Sequence, residues 1–85
     1  MLKIKDNVDL KELEKFGFKF VKVKRVDEFD YYYEIEQSDE TLTVFVKDKS
    51  IWTCSNNFAG YTDTIFDVLF DLIQAGLVEK VEEED

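Results

Sequence analysis

The chain has no histidine and no proline, a single cysteine, and three widely spaced glycines among its 85 residues. Without histidine it lacks the commonest general base, the usual partner of a nucleophile and the commonest metal ligand. Cys54 has no second thiol to pair with, so no intramolecular disulfide forms, and without histidine beside it neither a zinc site nor an activated thiol is expected. It reads as a small hydrophobe near a strand end. The glycines at 17, 60 and 76 are too far apart for a phosphate-cradling loop. The absence of proline and the scarcity of glycine predict tight turns and few long loops. No apolar run approaches the ~18 residues of a membrane span. Residues 1–6 alternate lysine with apolar residues, unlike a secretory signal. A lone thiol without an export signal fits a reducing compartment, so a cytoplasmic location is expected.

Positive charge is also short. Eleven basic residues face twenty acidic ones, for a net charge of −9, which disfavours direct binding to nucleic-acid phosphates. The imbalance is uneven. Residues 1–25 hold eight basic and four acidic groups (+4), and residues 26–85 hold three and sixteen (−13). Basic and acidic strands paired side by side are the simplest consequence.

What the chain does have is apolar and aromatic mass. It is 45% hydrophobic and 15% aromatic, with eight Phe, four Tyr and one Trp. That is enough to order one small domain over residues 1–81, followed by an acidic tail at 82–85. Asp9 reads as an N-cap with Glu12 completing a capping box, Val8 and Leu13 as a hydrophobic staple, and Leu10, Leu13 and Phe16 as the buried side of a short helix that Gly17 stops. From Phe18 the period becomes two, predicting strands at 18–25, 29–37, 41–47 and 50–54 joined by turns at 26–28, 38–40 and 48–49. Pairing Ile35 with Leu42, Tyr33 with Val44 and Tyr31 with Val46 keeps the apolar sets on one face, with Val21 and Val23 joining them. The opposite face then carries Lys22 and Lys24 near Tyr32, Glu34 and Glu36, with Thr43, Phe45 and Lys47 beyond. A two-residue last turn puts Ile51 and Thr53 on the core face, and a bulged one puts Trp52 there. Capped by Thr62 or Asp63, a second helix presents Ile65, Val68, Leu69, Leu72 and Ile73 to the sheet and ends at Gly76. Leu77 is expected to fold back on Leu72 or Ile73, with Leu77, Val78 and Val81 forming a short strand or a further turn. The fold class is α+β: a four-stranded antiparallel meander with a short N-terminal helix and a longer C-terminal helix on one face, in the order αββββα.

Carboxylates are the only abundant reactive groups. Twenty of them in 85 residues make chance proximity unavoidable, and the chain has little room for a deep cleft, so no catalytic set, no cofactor and no enzyme activity is expected. Asp27, Glu28 and Asp30 cluster at a turn but lack the alternating ligands and central glycine of a calcium loop, and read as solvated turn acids. Two features stand out. Tyr31 and Tyr33 are expected in the core with their hydroxyls at its rim, which turns Tyr32 outward near Phe45, Trp52 and Phe18 or Phe20. Such a patch is either a surface for a protein partner or a minor core under Leu2 and Ile4. The uncharged loop 55–61 sets Phe58 and Tyr61 among small polar residues, either as an interaction loop or as anchors of a crossover.

The opening segment 5–18 (KDNVDLKELEKFGF) and the closing segment 70–81 (FDLIQAGLVEKV) resemble short uncharacterised proteins encoded by phages and prophages of low-GC Gram-positive bacteria. That resemblance implies a cytosolic accessory protein of a mobile element. The residues themselves predict a small acidic protein-binding module, and the resemblance makes it a phage-type inhibitor or regulator of a host protein. Its partner surface comprises Tyr32, Glu34, Glu36, Phe45, Trp52, Phe58 and Tyr61. In one version the carboxylates of Asp27, Glu28, Asp30, Glu34, Glu36, Asp39 and Glu40 imitate nucleic-acid phosphates. The alternatives are a small-molecule binder with a pocket between the sheet and loop 58–61, and a homo-oligomer associating through Phe66 and Phe70.

Overall fold

The computed structural model describes residues 1–37, 40–55 and 63–81. In chain order they form β1 (Leu2–Ile4), a 3₁₀ helix (Leu10–Phe16), β2 (Lys19–Lys24), β3 (Phe29–Gln37), β4 (Glu40–Phe45), β5 (Ile51–Ser55), α1 (Asp63–Gln74) and β6 (Val78–Lys80). Strands β2 to β5 make the expected antiparallel meander in sequential order, with α1 packed on it. The expected order αββββα needs two corrections. The first helix is 3₁₀, and β1 and β6 pair antiparallel, tying the two ends of the chain together from Leu2 opposite Lys80 to Ile4 opposite Val78.

The 3₁₀ geometry follows from the spacing of the apolar residues. Leu10, Leu13 and Phe16 recur every three positions, which lines them up on one side at three residues per turn but spreads them around an α-helix. Asp9 does cap this helix, accepting from the Lys11 N–H at 2.9 Å, while the Glu12 carboxylate turns forward to Lys15 at 2.8 Å. Both helices end in the same way. The Gly17 N–H donates to Glu14 O and that of Phe18 to Leu13 O, and Gly76 and Leu77 repeat the pattern on Ile73 and Leu72. The left-handed φ of +95° at Gly17 and +76° at Gly76 is what this closure requires. Leu77 thus folds back over the last turn as expected.

Register decides which side chains meet. Ile35 stands opposite Leu42 and Tyr33 opposite Val44, and the Val46 N–H donates to Tyr31 O at 3.1 Å, all as the alternation predicts. The β2–β3 pairing differs. Arg25 and Glu28 exchange backbone hydrogen bonds, so the turn has two residues, Val26 and Asp27, instead of three. One residue fewer reverses every side chain of β2. Phe18 and Phe20 face the core side, and Val21 and Val23 pair with Tyr32 and Asp30 on the other. Lys22 and Lys24 leave the outer face with them. At the last turn Val44 stands opposite Ile51, leaving a five-residue connection at 46–50 in which Lys49 adopts φ +62°. Ile51 and Thr53 lie on the core side, and Trp52 faces out beside Thr43.

The core collects Phe18 from just before β2, Tyr33, Leu42, Val44 and Ile51 from the sheet, and Ile65, Val68 and Leu72 from α1. Leu10 and Leu13 join them from the 3₁₀ helix, and Ile4 from β1. Leu69 packs at the edge of this core, and Ile73, expected within it, is 46% exposed. Leu77 and Val78 pack against the core just past the last helical turn. Tyr31, expected in the core with Tyr33, is also 39% exposed. Leu2 and Ile4 belong to the main core and do not underlie the outer face. Glu40, read as a turn acid, is a fully buried member of β4 opposite Ser55. No described helix is long and apolar enough to cross a membrane. The turn residues Ser38 and Asp39, the Thr62 cap and the 82–85 tail lie outside the described residues.

Candidate functional site

Because the core residues of the sheet all point to one side, the alternating positions define an outer face. Its cross-strand rows can be read from the register. Val23 pairs with Asp30. Val21, Tyr32 and Phe45 form the next row, then Lys19, Glu34, Thr43 and Trp52, then Glu36, Thr41 and Cys54. Adjacent strands are about 4.8 Å apart, so neighbours within a row are in contact range. The Tyr32 and Phe45 rings meet edge to face with centroids 6.0 Å apart. Five of the seven residues singled out from the sequence, Tyr32, Glu34, Glu36, Phe45 and Trp52, are therefore on one surface. Phe58 and Tyr61 lie outside the described residues. The reversal of β2 makes this surface more apolar than expected: Val23, Val21, Tyr32 and Phe45 make a continuous stripe where two lysines were predicted.

Trp52 is 56% exposed, yet its ring is tethered. The indole Nε1–H donates to Ser50 Oγ at 3.0 Å, and that hydroxyl donates to Asp48 Oδ1 at 2.6 Å. The Ser50 N–H donates to the same oxygen at 3.0 Å. Ser50 is buried, so the chain of bonds runs from the outer face through the turn to a carboxylate at the surface. The Ser50 hydroxyl, followed by its N–H, holds the Asp48 carboxyl below its ordinary value. No signal in the sequence spacing announced this chain, although Asp, Ser and Trp at alternate positions around a turn are compatible with it.

A groove of about 890 Å³ opens from the same end of the face. One wall is Glu28 with the start of β3, Phe29 to Tyr31, which projects beyond the end of β4, and the other is the β4–β5 connection with Trp52. The groove lies at this turn; the alternative pocket involving loop 58–61 falls outside the described residues. On the core side of the sheet a second aromatic cluster forms that the reversed parity had hidden. Phe20 stacks on Tyr31 at 5.8 Å and meets Tyr33 edge-on at 5.2 Å, while the Lys22 ammonium lies 4.0 Å from the centroid of Phe29.

The acids of the phosphate-mimic set are dispersed. Glu34 and Glu36 share the outer face, Glu28 and Asp30 line the groove, and Asp30 is ion-paired with Arg25. Asp27 lies in the exposed turn, Glu40 is buried, and Asp39 lies outside the described residues. Among the described residues no group of three or more His, Cys, Asp or Glu is placed to hold a metal ion. Cys54, read as a strand-end hydrophobe, is exposed at the edge of the outer face. Comparison with known proteins brings no match: no family model, no curated protein and no solved structure is similar to this chain.

Proposed function

We propose that the chain is a small protein-binding module whose outer sheet face engages a basic protein partner. The observation that carries this reading is the stripe of Val21, Tyr32 and Phe45 leading to an exposed Trp52, with Glu34 and Glu36 beside it, on the face opposite the core. Apolar and aromatic surface of this kind supplies contact area, and the carboxylates supply long-range attraction and choice of partner. Regulation or inhibition of a host protein is the role that the resemblance of the two end segments implies. Mimicry of a nucleic acid is the narrower form of this reading, and the burial of Glu40 removes one of the carboxylates on which it drew. The test is affinity capture from a low-GC Gram-positive host lysate, followed by binding kinetics on the captured protein at two salt concentrations. Charge reversal at Glu34 and Glu36 is expected to slow association, higher salt to weaken binding, and Tyr32→Ala to speed dissociation. Affinity indifferent to all three changes sinks the proposal.

A second reading is self-association through α1, favoured by the exposure of Phe66, Phe70 and Ile73 at i, i+4 and i+7 of one helix face. Asp67 and Asp71 flank that face in both copies, so salt should strengthen this association where it weakens binding to a basic partner. Sedimentation at low and high salt separates the two.

A further inference from the structure

We propose that the groove beside Trp52 is the seat for an arginine side chain of the basic partner; the inference rests on the outer-face reading and narrows it to one chemistry. Charge complementarity selects a cation. The groove is lined by the carboxylates of Glu28, Asp30 and Asp48 against one ammonium, that of Lys47. Asp30 is already paired with Arg25, which leaves Glu28 and Asp48 as the acids facing an incoming charge. The aromatic faces are likewise divided. Lys22 lies over Phe29 and, at 5.9 Å, near the Tyr31 ring, so those two rings already hold a cation of the chain itself. Of the other two lining aromatics, Phe45 packs edge to face with Tyr32, whereas Trp52 is 56% exposed, and tryptophan is the strongest cation–π platform among the side chains.

Arginine fits this arrangement better than lysine. A planar guanidinium stacks flat on an indole while its in-plane N–H groups still reach a carboxylate, whereas an ammonium must choose between the two. The platform is also prepared in advance. With its Nε1–H bonded to Ser50 and Ser50 bonded to Asp48, the indole loses little rotational freedom when a guest arrives. The groove, at about 890 Å³, has room for the side chain and the flanking peptide.

The test uses the full 85-residue protein and an acetylated hexa-arginine peptide, with hexalysine and hexaglutamate as controls, at about 0.15 M salt. Trp52 is the single tryptophan, so its emission reports the site directly, and calorimetry supplies affinities for variants without it. Hexa-arginine is expected to change the emission saturably and to bind about tenfold more tightly than hexalysine, with hexaglutamate inert. Trp52→Ala should weaken hexa-arginine binding about 3- to 30-fold, with Trp52→Phe in between. Glu28→Lys, at an exposed position near the turn, should weaken it as well, and carries the test if Trp52→Ala fails to fold. Equal affinity for hexa-arginine and hexalysine overturns the inference, as does wild-type affinity in Trp52→Ala or in Glu28→Lys. Charge reversal at Glu34 and Glu36 separates this proposal from its parent. Should the reversal weaken hexa-arginine binding while Trp52→Ala does not, the outer face stands and the groove falls; should neither change act, both fall.

Discussion

Phe20 stands opposite Tyr33 in the β2–β3 ladder, and their rings meet edge-on with centroids 5.2 Å apart. Phe20 also stacks on Tyr31, so a ring that is half exposed joins the two tyrosines on the core side of the sheet. Tyr33 is buried beneath it, and that burial, with the charges of Glu14 and Asp9, raises its phenol above the ordinary value. Aromatic pairs contribute about 0.5–1.5 kcal/mol beyond the area they bury. Phe20→Ala is therefore expected to lower stability by about 1–3 kcal/mol in urea unfolding, whereas Val23→Thr, on the outer face, should stay within about 0.5 kcal/mol. The reverse ranking would return the valines of β2 to the core side.

Leu72 is fully buried and Leu69 lies at the edge of the same contact. Leu72→Ala should cost about 2–5 kcal/mol, a large share of the total for a domain of this size. Leu69→Ala should cost less than Leu72→Ala, and Phe70→Ala, at an exposed position, less than either. Chemical denaturation of the three variants orders them. A larger loss at Phe70 than at Leu72 would mean that α1 is rotated about its axis.

Asp9 accepts from the Lys11 N–H at the start of the 3₁₀ helix. Asp9→Ala should destabilise by about 0.5–2 kcal/mol and raise amide exchange locally over Leu10–Phe16. Asp9→Asn should retain most of the stability, because the amide oxygen still accepts. If both variants behave alike, the carboxylate's charge, and not its hydrogen bond, holds this helix.

The Asp48 carboxyl is held below its ordinary value of 3.8 by the Ser50 hydroxyl and N–H. A carboxylate whose pKa falls on folding contributes stability that is fully present above the unfolded value and is lost as pH drops through the lower folded value. Trp52 emission and stability should therefore be level from neutrality down to about pH 4, and the Trp52 environment should loosen below that. In Ser50→Ala the indole N–H loses its acceptor and Asp48 loses one donor. That variant should be less stable by about 1–3 kcal/mol, with a more mobile Trp52 at neutral pH and a weaker acid transition. Fluorescence anisotropy against pH reads both effects. An acid transition at Trp52 that is identical in Ser50→Ala would disconnect it from Asp48.

The pairing of β3 with β4 was legible because both strands alternate cleanly. Alternation puts Tyr33, Ile35, Leu42 and Val44 on the same side in every second register, and the short connection between Gln37 and Glu40 selects the one observed. β2 was ambiguous for a physical reason: Phe18 and Phe20 occupy one parity, Val21 and Val23 the other, and both are apolar. Turn length breaks the tie, and the stretch Val26, Asp27 and Glu28 reads equally well as a turn of two or three members. The larger area of the phenylalanines is the signal that would have favoured the observed parity. Trp52 came out on the outer face even though the last turn is longer than a two-residue hairpin, since a shift of two positions preserves parity. Glu40 was misplaced because an acid next to a turn pattern is usually solvated, and its burial depends on what strand pairing brings around it.

By itself the sequence determined much of what local chemistry controls. That covers a cap at Asp9, stops at Gly17 and Gly76, strand alternation after Phe18, and an apolar stripe on α1 centred on Ile65, Val68 and Leu72. It also determined that Tyr32, Glu34, Glu36 and Phe45 share a face, since period-two alternation and one certain register suffice. Only the tertiary structure decided that Leu2–Ile4 pairs with Val78–Lys80, because three-residue strands carry no readable period and each is stable only against the other and the core. Only the tertiary structure, likewise, turned Val21 and Val23 outward, buried Glu40, and linked Trp52 through Ser50 to Asp48. Each of these depends on contacts between segments, or on the exact length of a turn, and periodicity along a single strand contains neither.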